Sequence, residues 1–225
     1  MKINKNWFYQ LSEFKAKKII IEDNLIVAFF DDLNENIDLE IWENSRIEFY
    51  WVLENKNDFN INFIQDKENS ILKVRYLLLS KDNINVKAKI YSELSANLVK
   101  SDVRIISIVW NEWFVDLDWS IQISKEVEKV EANLIEDNLF LWNTWKVKWI
   151  PTLLVRSDDV KASHACKMER ISDEELFYLR SRWVGKDNAL TMMIESKIKT
   201  LFSCLSMIDN DFYIDLLENI LKKMK

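Results

Sequence analysis

The 225-residue sequence is poor in the residues that usually shape turns and bind metals, with one glycine, one proline, one histidine and two cysteines. Average usage would give roughly 16 glycines and 11 prolines. The cysteines, Cys166 and Cys204, can form at most one bridge, which excludes a disulfide framework and agrees with a reducing compartment. With a single histidine they cannot complete a structural zinc site alone. We therefore expect a cytoplasmic protein.

Long apolar runs and clustered positive charge are also missing. No uncharged apolar stretch approaches the roughly 18 residues of a membrane span, and no apolar block follows the lysine-rich start as in a signal peptide. The net charge of -6 and the scattered basic residues argue against a nucleic-acid partner. A phosphate-binding glycine loop, a nucleophile elbow and an HExxH motif are absent, so the sequence offers no catalytic residues.

Period-two alternation of apolar and polar residues dominates from about residue 18 to 160, as expected for half-buried strands. Examples are Ile84–Tyr91, Val103–Val109 and Leu117–Ile123. Clusters rich in Asn and Asp, such as Asp31–Asn36 and Lys81–Asn83, suit the turns between them. The pattern fits a sandwich or barrel, or a β-solenoid of stacked coils. Spacing does not separate these folds, because the chain has no strict repeat.

Near residue 171 the apolar period changes from two to 3.6. Ser172 and Glu175 form a capping box, which predicts a helix that continues to about Arg182. Apolar stripes predict a second helix from about Asp187 and a third from about Asp211.

These patterns divide the chain into three regions. The N-terminal segment is 1–17, where a short helix over Trp7–Phe14 is one interpretation. The β core covers 18–170, and a small C-terminal helical region covers 171–225. The sequence therefore predicts a mostly β protein with a helical tail.

Two segments resemble the C-terminal signature of the SufB/SufD family of iron–sulfur cluster assembly proteins. They are Ser157–His164, which reads SDDVKASH, and Asp173–Arg182, which reads DEELFYLRSR. The SufD-type pattern is DDVKxSHG followed by DEExLFYLRSRG. The resemblance implies a right-handed parallel β-helix capped by C-terminal helices. It also implies a non-catalytic scaffold, not an enzyme, that pairs with a SufC-type ATPase and with a SufB-like subunit or a second copy.

The resemblance also assigns residues. It implies no tightly bound cofactor, only a transient iron–sulfur cluster at the complex interface. His164 falls on the histidine of the family's SHG motif, which implies a role near the cluster or the subunit interface and makes it a candidate metal ligand. Ala162 stands where many SufD-like members have cysteine, so one soft sulfur ligand is missing. Cys166 would face the same side of a strand as His164 and could share a metal with it, or it could be a small buried thiol.

The predicted helix after residue 171 is a candidate docking surface for the ATPase. It carries two aromatic and two arginine side chains, which are residue types favoured at interface hot spots: Phe177, Tyr178, Arg180 and Arg182. The alternative is that the aromatic side chains pack onto the end of the β-helix.

Two other functions compete with the scaffold. A β-helical acyltransferase or lyase would need several convergent polar residues on one face of the solenoid, and the sequence pattern does not provide them. A structural β-solenoid without any role in cluster assembly would keep the fold alone.

The ten tryptophans are the last anomaly, because they stand where glycine is expected. Trp183 follows the predicted first helix, at the glycine of the family pattern. Six more sit like turn glycines: Trp110, Trp113, Trp119, Trp142, Trp145 and Trp149. We interpret most tryptophans as glycines that UGA encodes in the source lineage. The alternative is that they are true core residues.

Overall fold

The computed structural model describes residues 1–14, 16–31, 35–54, 59–80, 86–109, 114–141, 146–171 and 173–223. Its strands form two seven-stranded sheets, and every pairing within them is parallel. Sheet A consists of β1 (Lys2–Ile3), β3 (Lys18–Ile21), β5 (Ile37–Ile41), β7 (Phe59–Gln65), β9 (Val86–Leu94), β11 (Phe114–Ile123) and β13 (Lys146–Val155). Sheet B consists of β2 (Phe8–Gln10), β4 (Ile26–Asp31), β6 (Arg46–Glu54), β8 (Ile71–Ser80), β10 (Lys100–Val109), β12 (Val130–Phe140) and β14 (Val160–Arg170).

Consecutive strands alternate between the two sheets, so each coil of the chain adds one strand to each. This arrangement is a β-solenoid, which confirms the mostly β prediction and decides against a sandwich or barrel. The coils lengthen along the chain: Phe8 pairs with Ala28, whereas Lys100 pairs with Glu131. The solenoid therefore widens toward its C-terminal end, which explains why the sequence has no strict repeat.

The main core lies between the sheets and follows the predicted alternation. The inward residues of β10 and β11 are buried, among them Val103, Ile105, Leu117 and Ile121. Large aromatic side chains fill the middle coils, where Trp51 of β6 stacks on Tyr76 of β8 with ring centroids 4.5 Å apart. The alternate, inward side chains of successive strands therefore pack together as one continuous core.

Four successive corners from sheet A to sheet B each contain one residue in the left-handed backbone conformation, and the corner between β11 and β12 contains two, Glu126 and Lys129. Asn24, Asn44 and Asn69 occupy this position in three successive coils, with φ of 63°, 56° and 54°. In the next coil Leu98 has φ of 61°. The backbone N–H of each of these asparagines and of Leu98 donates to a carbonyl of the following coil, at 2.9 to 3.1 Å. Asparagine tolerates this conformation better than leucine does, so Leu98 is strained relative to the three asparagines.

Four helices follow β14: α1 (Asp173–Ser181), α2 (Lys186–Leu201), α3 (Leu205–Ile208) and α4 (Asn210–Lys223). The three predicted helices are confirmed, and α3 is an addition. The proposed capping box cannot be assessed, because Ser172 and the Glu175 side chain lie outside the described residues.

The helices pack on the outer face of sheet B, not on the end of the solenoid, so the implied cap is wrong. A second core forms there between outward strand residues and helix residues, such as Ile106 and Ile108 against Ile198 and Phe202. An ion pair between Glu169 of β14 and Lys197 of α2 also joins the two parts. The end of the solenoid is consequently left open at β13 and β14.

The N-terminal segment belongs to the solenoid. It contributes β1 and β2, and its helical interpretation holds only for a single 3-10 turn, Leu11–Glu13. Within the described part of the chain, no helix is long and apolar enough to cross a membrane.

The tryptophans fall into different environments. Trp119 lies inside β11, fully buried, where its Nε1 donates to Ser92 Oγ at 3.3 Å, and Trp149 lies within β13. The turn interpretation of these two is therefore wrong. Trp183 does adopt a left-handed conformation, with φ of 67°, and its side chain is 98% exposed. The turn positions predicted for the remaining four lie outside the described residues: Trp110, Trp113, Trp142 and Trp145.

Candidate functional site

Strand β14 places the candidate metal ligands on the inward face of an outermost strand. Ala162, His164, Cys166 and Met168 continue the inward columns of β12, since they pair with Ala132, Leu134, Glu136 and Asn138. Among the described residues no strand lies beyond β14 in sheet B or beyond β13 in sheet A. The inward side chains of these two strands are therefore accessible from the end of the solenoid. We call this surface, with Leu153 and Val155 of β13, the open end.

His164 lies against a buried carboxyl group. Its Nε2 is 3.5 Å from Glu136 Oε2, and the Glu136 side chain is only 1% exposed, compared with 27% for His164. Burial raises the pKa of Glu136 to about 9, because the ionised form loses its hydration. Oε1 of the same carboxyl has no hydrogen-bond partner. Burial therefore favours the protonated, neutral form of Glu136, whose side chain lies just inside the open end.

Cys166 is a free, exposed thiol, so the interpretation as a small buried thiol is wrong. The Asn138 Nδ2 group donates to its sulfur at 3.9 Å, and partial burial raises the pKa of the thiol. The spacing argument that put Cys166 on the same face as His164 is correct. The second cysteine, Cys204, is half-buried and packs against the outer core under the helices.

The open end thus presents imidazole, thiol, carboxyl and thioether groups. In the described residues, no three His, Cys, Asp or Glu side chains are grouped closely enough to hold a metal ion together. Ala162 contributes no donor at the position where many family members have cysteine. A cluster bound here would have to draw on this face and on a second molecule that approaches it.

Glu136, Asn138 and Met168 were not singled out from the sequence. The available signal was the alternation of β12, in which Val130, Ala132 and Leu134 predict an inward apolar face. Glu136 and Asn138 interrupt this face at two inward positions, and buried polar groups without compensation are costly. The polar residues Glu136 and Asn138 at inward positions of β12 therefore indicate the site.

The α1 helix forms a second exposed surface. Phe177 is 73% exposed and Tyr178 is also exposed, so neither packs on the solenoid end as the alternative held. The Arg182 guanidinium lies over the Tyr178 ring, 5.0 Å from its centroid. A shallow depression beside them is lined by Glu174, Leu176, Phe177, Arg180 and Lys186. The four predicted docking residues are thus accessible together.

Comparison with known proteins identifies the family. Residues 34–197 match the family described as SUF system FeS cluster assembly, SufBD core domain. The chain is 28% identical over 127 residues to the iron-sulfur cluster assembly protein SufD of Escherichia coli, covering 56% of this chain and 30% of that protein. It is 33% identical over 75 residues to a SufBD family protein of Mycobacterium leprae, covering 33% of this chain and 19% of that protein.

A third relative comes from the SufB branch. The chain is 27% identical over 74 residues to the iron-sulfur cluster assembly protein SufB of Bacillus subtilis, covering 33% of this chain and 16% of that protein. The chain thus spans less than a third of the length of these curated relatives. The family match nevertheless extends over most of this chain, and it includes strands β5 to β14, of which β13 and β14 form the open end. The chain belongs to the SufBD core domain family of the SUF system for iron–sulfur cluster assembly.

Proposed function

We propose that this chain is a non-catalytic scaffold subunit of a cytoplasmic SUF-type complex, in which an iron–sulfur cluster is a transient cargo. The cluster is handled at the open end, near His164 and Cys166. The observation that carries the proposal is the position of these donors on the inward face of an outermost strand, where a second chain can approach them. Imidazole and thiolate are common ligands of iron in proteins.

Subunit pairing is proposed at the same surface, with a SufB-like subunit or a second copy of this chain. The outer backbone groups of β13 and β14 can pair with strands of another molecule. The surrounding side chains are apolar and exposed, namely Leu153, Val155 and Met168. A partner that covers the open end would complete the solenoid interior and exclude water from the cargo.

The SufC-type ATPase is proposed to dock on α1. Exposed aromatic side chains next to arginine are typical of the anchors of protein interfaces. Phe177 is presented to solvent, and the contact with Tyr178 orients Arg182. This surface belongs to α1, whereas the surface proposed for subunit pairing belongs to β13 and β14.

Leu153→Lys tests the pairing surface, because a charge at the open end should prevent another subunit from covering it. The matched control is Ile26→Lys, at an exposed isoleucine of β4 far along the chain from the open end. We expect Leu153→Lys to abolish association with a SufB-like subunit or with itself in analytical ultracentrifugation, while Ile26→Lys associates normally. Equal association of both variants would contradict the assignment of the open end.

His164→Ala tests the cargo site in a reconstituted complex. The substitution should change the free energy of unfolding by less than about 0.5 kcal/mol, since the side chain lies at the rim. We expect it to reduce cluster formation, measured by absorbance after anaerobic reconstitution with iron and sulfide, or to weaken subunit pairing. If the folded variant forms the cluster and pairs with its partner subunit as the wild type does, His164 has no role in either process.

Phe177→Ala and Arg182→Ala test the docking of the ATPase. Point substitutions are preferable to deletion of the helical region, because α2 and α4 cover the apolar outer face of sheet B. We expect each variant to lose at least about tenfold in affinity for the ATPase, as is typical of interface anchors. Trp7→Ala serves as the control, since Trp7 is an exposed aromatic residue outside α1. Wild-type affinity in both α1 variants would refute this surface.

A further inference from the structure

Three donor side chains stand in one row on the inward face of β14: His164, Cys166 and Met168. We call them the donor strip. Alternate residues of a strand are roughly 6.6 Å apart and point the same way. All three lie at the open end, where Cys166 is exposed and Met168 is 53% exposed. Met168 thus stands two residues from the free thiol of Cys166, on the same face of the strand.

The chemistry of the donor strip is soft. Thiolate and thioether are soft ligands that suit Cu(I), and thiolate suits Zn²⁺ and iron–sulfur clusters as well. The Met168 thioether is the group that favours Cu(I), because the thioether sulfur is soft and uncharged. Copper also binds imidazole, so His164 can serve as a further ligand. The unbranched Met168 side chain has three rotatable bonds, so its sulfur can swing toward Cys166 without movement of the strand.

A second observation points to a cation at this position. Glu136 is the register partner of Cys166 on β12, and its side chain is 1% exposed. One carboxyl oxygen faces His164 at 3.5 Å, and the other has no hydrogen-bond partner. A buried polar atom without a partner destabilises the folded protein, unless a bound group compensates for the lost hydration. A cation held by the donor strip would supply such a group.

We propose that Cys166 and Met168, with His164 as the third donor, bind a soft monovalent cation, Cu(I), at the open end. The Cys166 sulfur binds as the thiolate, and its proton passes to solvent. This inference goes beyond the proposed function, because the site needs no second subunit and no ATPase. Since it shares His164 with the proposed cargo site, bound copper would also block cluster assembly there.

The test is an anaerobic titration of the isolated full chain with Cu(I), in competition with bathocuproine disulfonate. We expect one ion per wild-type chain. Cys166→Ser should weaken binding by at least the roughly 10- to 100-fold that loss of a supporting group costs a metal site. Met168→Leu, which conserves volume, should also weaken it. The matched controls Cys204→Ser and Met207→Leu should bind as the wild type, since Met207 is an exposed methionine of α3.

Two further measurements make the result decisive. Copper X-ray absorption should detect two sulfur neighbours in the wild type and one in Met168→Leu. Thermal melts identify variants that fail to fold, and Met168→Leu is expected to retain the wild-type melting temperature. Wild-type affinity of Cys166→Ser overturns the proposal, and so does an equal loss in Cys204→Ser. Equally tight binding of Zn²⁺ through the same residues would also overturn it.

This outcome is independent of the scaffold role. The titration uses the isolated chain, whereas the scaffold role is tested by subunit association and by ATPase binding through α1. Copper binding without complex formation would refute the scaffold alone. Complex formation without copper binding would refute this inference alone.

Discussion

Glu136 should make the stability of the protein depend on pH in a direction opposite to that of most carboxylates. Burial raises its pKa to about 9 in the folded protein, whereas glutamate in an unfolded chain titrates at about 4.3. The folded state therefore holds a proton that the unfolded state has released. Stability from this group is fully present below about pH 4.3 and is lost as pH rises toward 9. At pH 7 the loss amounts to about 4 kcal/mol, at about 1.4 kcal/mol per pH unit.

Glu136→Gln should remove this dependence, because an amide has nearly the same shape and does not ionise. We expect the variant to be more stable than the wild type at pH 7 and 8, and about equal to it at pH 4.5. The measurement is urea unfolding followed by tryptophan fluorescence at each pH. The control is Glu131→Gln on the same strand, whose side chain is well exposed and pairs with Lys100 at 3.2 Å. This control should keep the pH profile of the wild type.

The neighbouring imidazole provides the alternative explanation. If Glu136 were ionised and paired with a protonated His164, Glu136→Gln would destabilise the protein near pH 6 and leave its slope at high pH unchanged. Repeating the series in a His164→Ala background separates the two cases. If Glu136 is neutral, Glu136→Gln still changes the pH dependence of the free energy of unfolding in that background. If Glu136 is ionised and paired with His164, the destabilisation near pH 6 disappears there. Parallel pH profiles for wild type and Glu136→Gln would refute the neutral, buried acid.

The remaining predictions concern the backbone and the outer face of sheet B. Trp183→Gly should raise the free energy of unfolding by about 1 kcal/mol, because the left-handed conformation costs a bulky residue about that much, while Trp7→Gly should give no gain. Leu98→Asn should add a few tenths of a kcal/mol in chemical denaturation, as its φ of 61° suits asparagine. Burial raises the pKa of Asp102, but hydrogen bonding to Arg75 and the nearby positive charges outweigh it, so the pKa lies below its ordinary value. The ionised carboxylate therefore contributes stability that is present above about pH 4 and lost on acidification. Asp102→Asn should remove this contribution. A calorimetric series from pH 3 to 7 measures this last effect.

The strands were predictable because one face of each is buried, which imposes period two on the sequence. The lateral position of the helices was harder to predict, although a signal existed. In Tyr76–Leu79 and Ile105–Val109 the alternation gives way to nearly continuous burial. Such runs are typical of strands that are covered on both faces. The outward residues Leu77 and Ile106 belong to the second core, and they indicate a cover on sheet B.

The candidate site was predictable only in part. His164 followed from a local resemblance, and Cys166 followed from strand spacing. Glu136 did not, because its importance depends on pairing with a strand 30 residues later, and register between coils of changing length cannot be read from a single sequence. Asn138 was missed for the same reason. Which chemical groups meet at the open end is thus decided by the register between neighbouring coils.

The tryptophans require a more selective form of the recoding hypothesis. The helix that ends near Trp183 closes with two hydrogen bonds, from Trp183 N–H to Arg180 O at 3.0 Å and from Val184 N–H to Leu179 O at 3.3 Å. This is the Schellman arrangement, whose left-handed residue is commonly glycine. The exposed indole makes no packing contribution that would offset the strain. We propose that this position is a UGA codon read as glycine in the source lineage.

Trp119 behaves in the opposite way. It is fully buried, lies against Phe63 with ring centroids 6.3 Å apart, and donates to Ser92. Removing a buried tryptophan side chain typically costs 3 to 5 kcal/mol, roughly, because the cavity cannot close completely. Reassignment should therefore be confined to strained positions, with UGA at Trp183 and UGG at Trp119. Native peptides whose masses contain tryptophan at 183 would refute the reassignment, and glycine at 119 would refute the distinction between the two sites.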